Sequence, residues 1–392
     1  MAINAILLPA LLLVTEIALW AYAPLEVEKI TFEQTLPGVK PTVTYSKTWF
    51  GFRSISMTSR RKDADTTRIL CLGASTTDQA AQDTDSIWCS LLEIELDSVL
   101  HVDVETAALG RGGWRSADLF RWVNDNIETY EPDVVIVLMG INDLTWNGGP
   151  NYTYEANERR LAFLGDSRMR ALKDQCRTIS QLCRRAALFH HKYLTPTFVR
   201  SERSGQVRRL AWSSVHLPGL REQYRSHPYV LSLVREPDPI RAFRDNMTVL
   251  ARILRSTGAR VILLGQPVLW KPEMTPDEER ALWFGVNTPR GFVRPSTEWL
   301  YKEMSRYNGV QQQIAVAERL VYVDLDQLIP KSLDYFFDDC HFTDLGNRRV
   351  AQELAPIVHE QILDVLYQAR LAAPDAESLS SASVSDQRAA HR

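Results

Sequence analysis

At 392 residues the chain exceeds the usual single-domain size, although one large α/β domain with insertions can use most of it. With 45% hydrophobic and 24% charged residues, a sizeable core is affordable, and a net charge of −3 gives no reason to expect a nucleic-acid partner. The five cysteines (Cys71, Cys89, Cys176, Cys183 and Cys340) are odd in number and form no CxxC pair, so neither a disulfide framework nor a zinc site is indicated. Cys176 and Cys183 fall two turns apart on a predicted helix, too far for a bridge; a single disulfide elsewhere stays open.

Residues 2–23 are apolar apart from Glu16 and end with Trp20 and Tyr22, residues favoured at a membrane interface. Their length suits a helix crossing a hydrocarbon core of roughly 30 Å. A cleavable signal peptide is the rival reading, but no Lys or Arg precedes the run and Pro24 follows the small-x-small site Ala21-Tyr22-Ala23. We read residues 1–24 as a transmembrane anchor carrying an extracytoplasmic or periplasmic domain. Residues 25–66, with the β-prone stretch Thr42-Val43-Thr44-Tyr45 and the basic Arg60-Arg61-Lys62, read as a connector packed in part on the main domain.

From Arg68 onward, apolar runs of strand length (69–72, 102–107, 134–139, 261–264 and 320–323) alternate with helix-period segments near 86–99, 116–129, 237–257, 297–318 and 343–368. Short, nearly continuous apolar strands alternating with helices predict a parallel sheet covered on both faces, with ligands beyond the strands' carboxyl ends. The expected fold is a flavodoxin-like three-layer α/β/α domain over 67–370 with about five parallel strands. Residues 150–235 exceed any simple crossover and read as an inserted helical region. Over 151–230 there are 15 Lys or Arg against 6 Asp or Glu, a local charge of +9. A solvated helical face accounts for that charge; attraction of an anionic glycan or lipid headgroup is the functional alternative. Residues 371–392 are small and polar and read as a disordered tail.

Four stretches carry candidate chemistry. The first strand runs into Gly73-Ala74-Ser75-Thr76-Thr77, which sets a serine hydroxyl and its own N–H at the sheet's carboxyl edge. No Gly-Lys-Ser/Thr follows, so a phosphate loop is excluded. After the second strand, Gly110 can bring its N–H to a substrate with no side chain in the way. The third strand ends in Gly140-Ile141-Asn142-Asp143, where Asn142 can aim an amide into a cleft and Asp143 reads as structural. Near the end, Phe336-Phe337-Asp338-Asp339-Cys340-His341 puts a His three residues after an Asp, just before the last helix. Such a carboxylate can orient the imidazole and stabilise its charged form. No second His or Cys cluster accompanies His341, which argues against a metal centre.

In this order the four stretches resemble the SGNH/GDSL hydrolase superfamily, with its Gly-x-Ser-x-Thr, Gly, Gly-x-Asn-Asp and Asp-x-x-His blocks. The likeness spans about 67–368 and leaves 150–235 outside. Two positions depart from the pattern: Ala74 stands where an Asp is usual, and Ala108 where an Asn is frequent. The resemblance implies a serine esterase with Ser75 as nucleophile, His341 as base and Asp338 behind it, and an oxyanion hole from Ser75, Gly110 and Asn142. It implies no metal or organic cofactor. The ending around His341 is similar to that of bacterial members acting on extracytoplasmic glycans. An acetyl or short acyl ester of a glycan or lipid is therefore the expected substrate. An O-acyltransferase for a cell-envelope polysaccharide is the nearest variant, and a non-catalytic glycan-binding protein the alternative of a different class. Trp114, Trp146 and Trp270 fall just past strand ends, where their rings can either stack on sugars or pack.

Overall fold

The computed structural model describes residues 28–48, 51–57, 62–63, 65–100, 102–145, 212–235 and 238–372. The expected anchor, Trp146, Cys176, Cys183, most of the 150–235 insertion and the tail from residue 373 lie outside the described residues. Among the described residues, no helix is long and apolar enough to cross a membrane.

In chain order the strands of the described residues are β1 (Glu28–Glu33), β2 (Thr42–Lys47), β3 (Thr66–Gly73), β4 (Asp103–Leu109), β5 (Val134–Leu138), β6 (Tyr229–Val230), β7 (Arg260–Leu264), β8 (Val286–Thr288), β9 (Gly291–Pro295) and β10 (Val321–Val323). Five of them form one sheet in the order β10-β7-β5-β3-β4, and every neighbouring pair is parallel. Numbered within the sheet this is the 2-1-3-4-5 order of a flavodoxin-like domain, whose switch point lies between β3 and β5. Both of those strands are buried along their whole length, as strands covered on two faces must be.

Reversal of strand order sends the crossover helices to opposite faces. On one face Trp88–Asp97 packs on the final helix Asp344–Ala372. The final helix buries Val350, Leu354, Val358 and Ile362, a stripe at four-residue spacing. On the other face Ile240–Ser256 packs between Ser116–Asn126 and Thr297–Glu318. The helix Thr297–Glu318 has the bounds that the sequence pattern predicts, because Ser296 caps it by accepting a hydrogen bond from Trp299 N at 3.1 Å.

Two elements outside the main sheet bear on the site. The hairpin β1–β2 sits in the expected connector, and the chain after it forms an antiparallel bridge between Arg53 and Ala108 that covers the edge of β4. The small sheet β6-β9-β8 lies beside the helix Trp212–Ser226, which is the described end of the insertion.

Candidate active site

Strand β3 ends at Gly73, and Ser75 opens the four-residue helix Ser75–Asp78. The helix's first backbone bonds run from Thr77 N and Asp78 N to Ala74 O, so the Ser75 N–H lies at a helix start, outside that ladder. Glycine is required twice in this turn. A Cβ on Gly73 would fall 2.6 Å from Leu138 O, and one on Gly110 would fall 2.3 Å from both Ala74 O and Asp78 N. Backbone of the second block is thus pressed against backbone of the Ser75 turn, which only a residue without a side chain permits.

The His loop reaches this turn from the far end of the chain. His341 Nε2 lies 2.9 Å from Ser75 Oγ, and His341 Nδ1 lies 2.8 Å from Asp338 Oδ2. Asp338, only 2% exposed, also accepts from Cys340 N at 3.0 Å, His341 N at 2.9 Å and Trp283 Nε1 at 2.9 Å. Burial alone would raise the Asp338 carboxyl. The facing His341 and these donors outweigh it and hold the group below its ordinary value. For His341, burial opposes protonation, but the Asp338 charge outweighs that and raises the imidazole well above 6.5. The neighbouring Asp339 moves the other way from Asp338. Burial and the Asp338 charge push it up to about 7, while Trp270 Nε1, Trp283 N and Phe284 N donate to it.

Gly110 and Asn142 stand at the ends of β4 and β5, on the same edge as Ser75. Asn142 donates one amide hydrogen to Trp114 O at 2.8 Å, which ties the two strand-end loops together and leaves its second amide hydrogen for another acceptor. Asp143 is structural, as expected. It accepts from Ser116 N at 3.0 Å and Ser116 Oγ at 2.6 Å, and burial pushes it up to about 6. Trp270 cannot stack on a sugar: it is fully buried with its N–H committed to Asp339. Trp114 stays half-buried beneath the Arg111 guanidinium, 5.5 Å from its ring.

Asp338, Cys340 and His341 each offer a ligand atom within 4.8 Å of one another. Both imidazole nitrogens are already engaged, and burial pushes the Cys340 thiol up to about 11, away from the thiolate a metal needs. The donor chemistry fits a hydrogen-bonded Ser-His-Asp relay.

Three residues that hold the site give no signal in the sequence. Arg53, fully buried, donates to the carbonyls of Asp78, Gln79 and Gln82 and lies 4.3 Å over the Tyr45 ring. It gathers the chain leaving the helix Ser75–Asp78. Gln82 Nε2 then donates to Phe342 O at 2.9 Å, joining the serine loop to the histidine loop. From the insertion, Arg221 donates to Phe337 O at 2.7 Å, and the Phe337 ring stacks on His341 at 5.7 Å. A further feature is the disulfide Cys71–Cys89, which links β3 to the helix Trp88–Asp97 across the loop that carries Ser75.

A parallel 2-1-3-4-5 sheet with Ser75, His341 and Asp338 hydrogen-bonded in series at its carboxyl edge is the α/β architecture of the flavodoxin-like class. Residues 71–217 match the model of the GDSL-like Lipase/Acylhydrolase family. The chain carries a domain of that family and is a hydrolase of ester bonds. No curated protein matches the chain by sequence. Among solved structures it is similar to the acetyl xylan esterase AlAXEase, at 13% identity and a TM-score of 0.38, covering 74% of this chain and 99% of the other. An acetylxylan esterase from Geobacillus stearothermophilus is similar at 13% identity and a TM-score of 0.39, with 75% and 93% covered. The M. smegmatis aryl esterase is similar at 14% identity and a TM-score of 0.38, with 75% and 99% covered. Likenesses this distant do not bear on what this chain cleaves.

Proposed function

We propose that Ser75 is the nucleophile of a serine esterase, with His341 as its base and Asp338 as the carboxylate that orients His341. The observation that carries this reading is the pair of contacts at His341, 2.9 Å to Ser75 Oγ and 2.8 Å to Asp338 Oδ2. The Ser75 hydroxyl attacks the ester carbonyl while its proton passes to His341 Nε2, and Nδ1–H donates to Asp338 throughout. Negative charge on the carbonyl oxygen is met by the N–H groups of Ser75 and Gly110 and the free amide hydrogen of Asn142. His341 returns its proton to the departing alcohol oxygen as the C–O bond breaks. Water then repeats the sequence on the acyl-serine, giving the acid and free Ser75.

The substrate in this reading is an acetyl or short acyl ester of an extracytoplasmic glycan or lipid. Residues 1–24 anchor the domain to the membrane. The Cys71–Cys89 disulfide supports that compartment, since such bonds persist where the surroundings are oxidising.

Turnover of 4-nitrophenyl acetate by purified protein tests the assignment. Ser75→Ala and His341→Ala are expected to abolish it with unchanged circular dichroism, and a fluorophosphonate probe should label Ser75 alone. Normal turnover by the Ser75→Ala protein would end the proposal. Acyl release measured with and without a glycan acceptor separates hydrolysis from transfer.

A further inference from the structure

Beside the relay lies a cleft of about 430 Å³ whose walls come largely from outside the five-stranded sheet. The helix Trp212–Ser226 supplies Tyr224 and Gln223, and the hairpin β8–β9 supplies Asn287 and Phe292. Its two ends touch the catalytic elements. On one side Trp283 lines the cleft while its Nε1 donates to Asp338 Oδ2 at 2.9 Å. On the other, Thr145 closes the short helix that carries Asn142, and its hydroxyl donates to Asn142 O at 3.2 Å. The cleft thus borders both the carboxylate that holds His341 and the helix that carries Asn142, and one of the two substituents of an ester bound between Ser75 and Asn142 can extend into it.

The lining chemistry says which one. Among the described residues that line the cleft, Leu220 is the only aliphatic one and none is Asp, Glu, Lys or Arg. An acyl-chain channel would need a continuous aliphatic wall, and a site for an anionic ligand would need cations. What is present is a set of aromatic faces with amides and a hydroxyl between them. His227 and Phe292 meet at 4.6 Å between ring centroids, and Trp283 and Phe284 meet at 5.1 Å. A pyranose ring presents C–H groups on its faces and hydroxyls around its rim. The faces pack on electron-rich aromatic rings, and the hydroxyls exchange hydrogen bonds with groups such as Gln223, Asn287 and Thr145. The volume falls in the range of small-molecule sites, roughly 300–1,000 Å³.

We infer that this cleft binds the alcohol part of the substrate, and that this part is an uncharged glycosyl unit rather than a lipid or an acidic sugar. The inference rests on the reading of Ser75, His341 and Asp338 as the catalytic residues. It also separates the glycan from the lipid among the ester classes proposed above.

Binding can be measured without turnover. The full chain carrying Ser75→Ala is titrated with three neutral tetrasaccharides (cellotetraose, xylotetraose and chitotetraose), with tetragalacturonate and with octanoate, following tryptophan fluorescence and calorimetry. At least one neutral tetrasaccharide is expected to bind, and Phe292→Ala added to Ser75→Ala should weaken it at least tenfold. Asn287 is exposed on β8, so Asn287→Ala keeps the test open if the Phe292 variant does not fold. In the Ser75 background, the selectivity for an O-acetylated form of the bound sugar over 4-nitrophenyl acetate should fall at least tenfold in either variant. Failure of all three neutral sugars to bind, tighter binding of octanoate or tetragalacturonate, or binding indifferent to both substitutions overturns the inference. Failure of the catalytic reading would appear separately, as undiminished 4-nitrophenyl acetate turnover in the Ser75→Ala chain.

Discussion

In the proposed mechanism the His341 imidazole must be neutral to accept the Ser75 proton, yet its surroundings favour the charged form. Burial works against the charge, but the Asp338 carboxylate at 2.8 Å outweighs it, so protonation persists well above the ordinary 6.5. kcat/KM for 4-nitrophenyl acetate is therefore expected to rise with pH along one ionisation whose midpoint lies above 6.5. Asp338→Asn removes the charge that holds the proton, so the midpoint should move down and kcat fall by about 100-fold or more. A wild-type midpoint at or below 6.5 would contradict the geometry. Stability follows the same linkage. His341, with its pKa raised on folding, contributes stability that is full below the unfolded imidazole value and lost as pH rises through the folded one. Asp338, with its pKa lowered, contributes stability present above the unfolded carboxyl value and lost as pH falls through the folded one.

Ser75, Asp338 and His341 could be picked out of the sequence because each sits in a short block at a strand end or before the last helix, a place read from apolar periodicity. Arg53 could not. It is an arginine in a polar stretch, and its burial against three carbonyls depends on a chain reversal that no local pattern encodes. Replacing it by Met keeps the bulk but strands those carbonyls in the interior. A loss of about 3 kcal/mol or more is expected in urea unfolding, since each unpaired buried group costs roughly 1–3 kcal/mol. Arg53→Met unfolding at the wild-type midpoint would show that the carbonyls find other partners.

Among the elements, the five sheet strands and the long helices were readable because burial on two faces makes strands continuously apolar and burial on one face gives helices a 3.6-residue stripe. The small sheet β6-β9-β8 went unread. Its strands are two to five residues long and mostly half-exposed, so neither period has room to appear. The pairing of Cys71 with Cys89 was equally hidden. Eighteen residues apart on a strand and a helix, the two meet only because the helix packs back onto the strand before it. The closed loop contains the whole turn that carries Ser75. For a loop of this length the restraint on the unfolded chain is worth about 3 kcal/mol. Thermal unfolding with and without reductant should show a lower midpoint for the reduced protein, and Cys71→Ala/Cys89→Ala should lose about 3 kcal/mol with little change in KM. Equal stability of oxidised and reduced protein would mean that this bond adds nothing to the fold.

At the scale of the whole molecule, the first described strand begins almost where the apolar segment ends. Residues 24–27 separate residue 23 from Glu28, the first residue of β1, and four residues span at most about 14 Å. β2, the partner of β1, is tied to the nucleophile loop: Tyr45 donates to Asp78 at 3.1 Å, and Thr44 N donates to Asp83 at 2.5 Å. If residues 1–24 lie in a bilayer, the hairpin cannot drift from it, and through these bonds neither can Ser75. The esters within reach would then be those near the membrane surface rather than far out in the envelope. The full-length chain is accordingly expected to sediment with membranes and to resist extraction by high salt. A chain starting at Glu28 should remain soluble, with kcat/KM for 4-nitrophenyl acetate within about threefold of the full chain, because the contacts that build the relay and its oxyanion donors all come from residues after Gly38. Recovery of the full-length protein in the soluble fraction would remove the anchor from this picture and free the active site from the membrane surface.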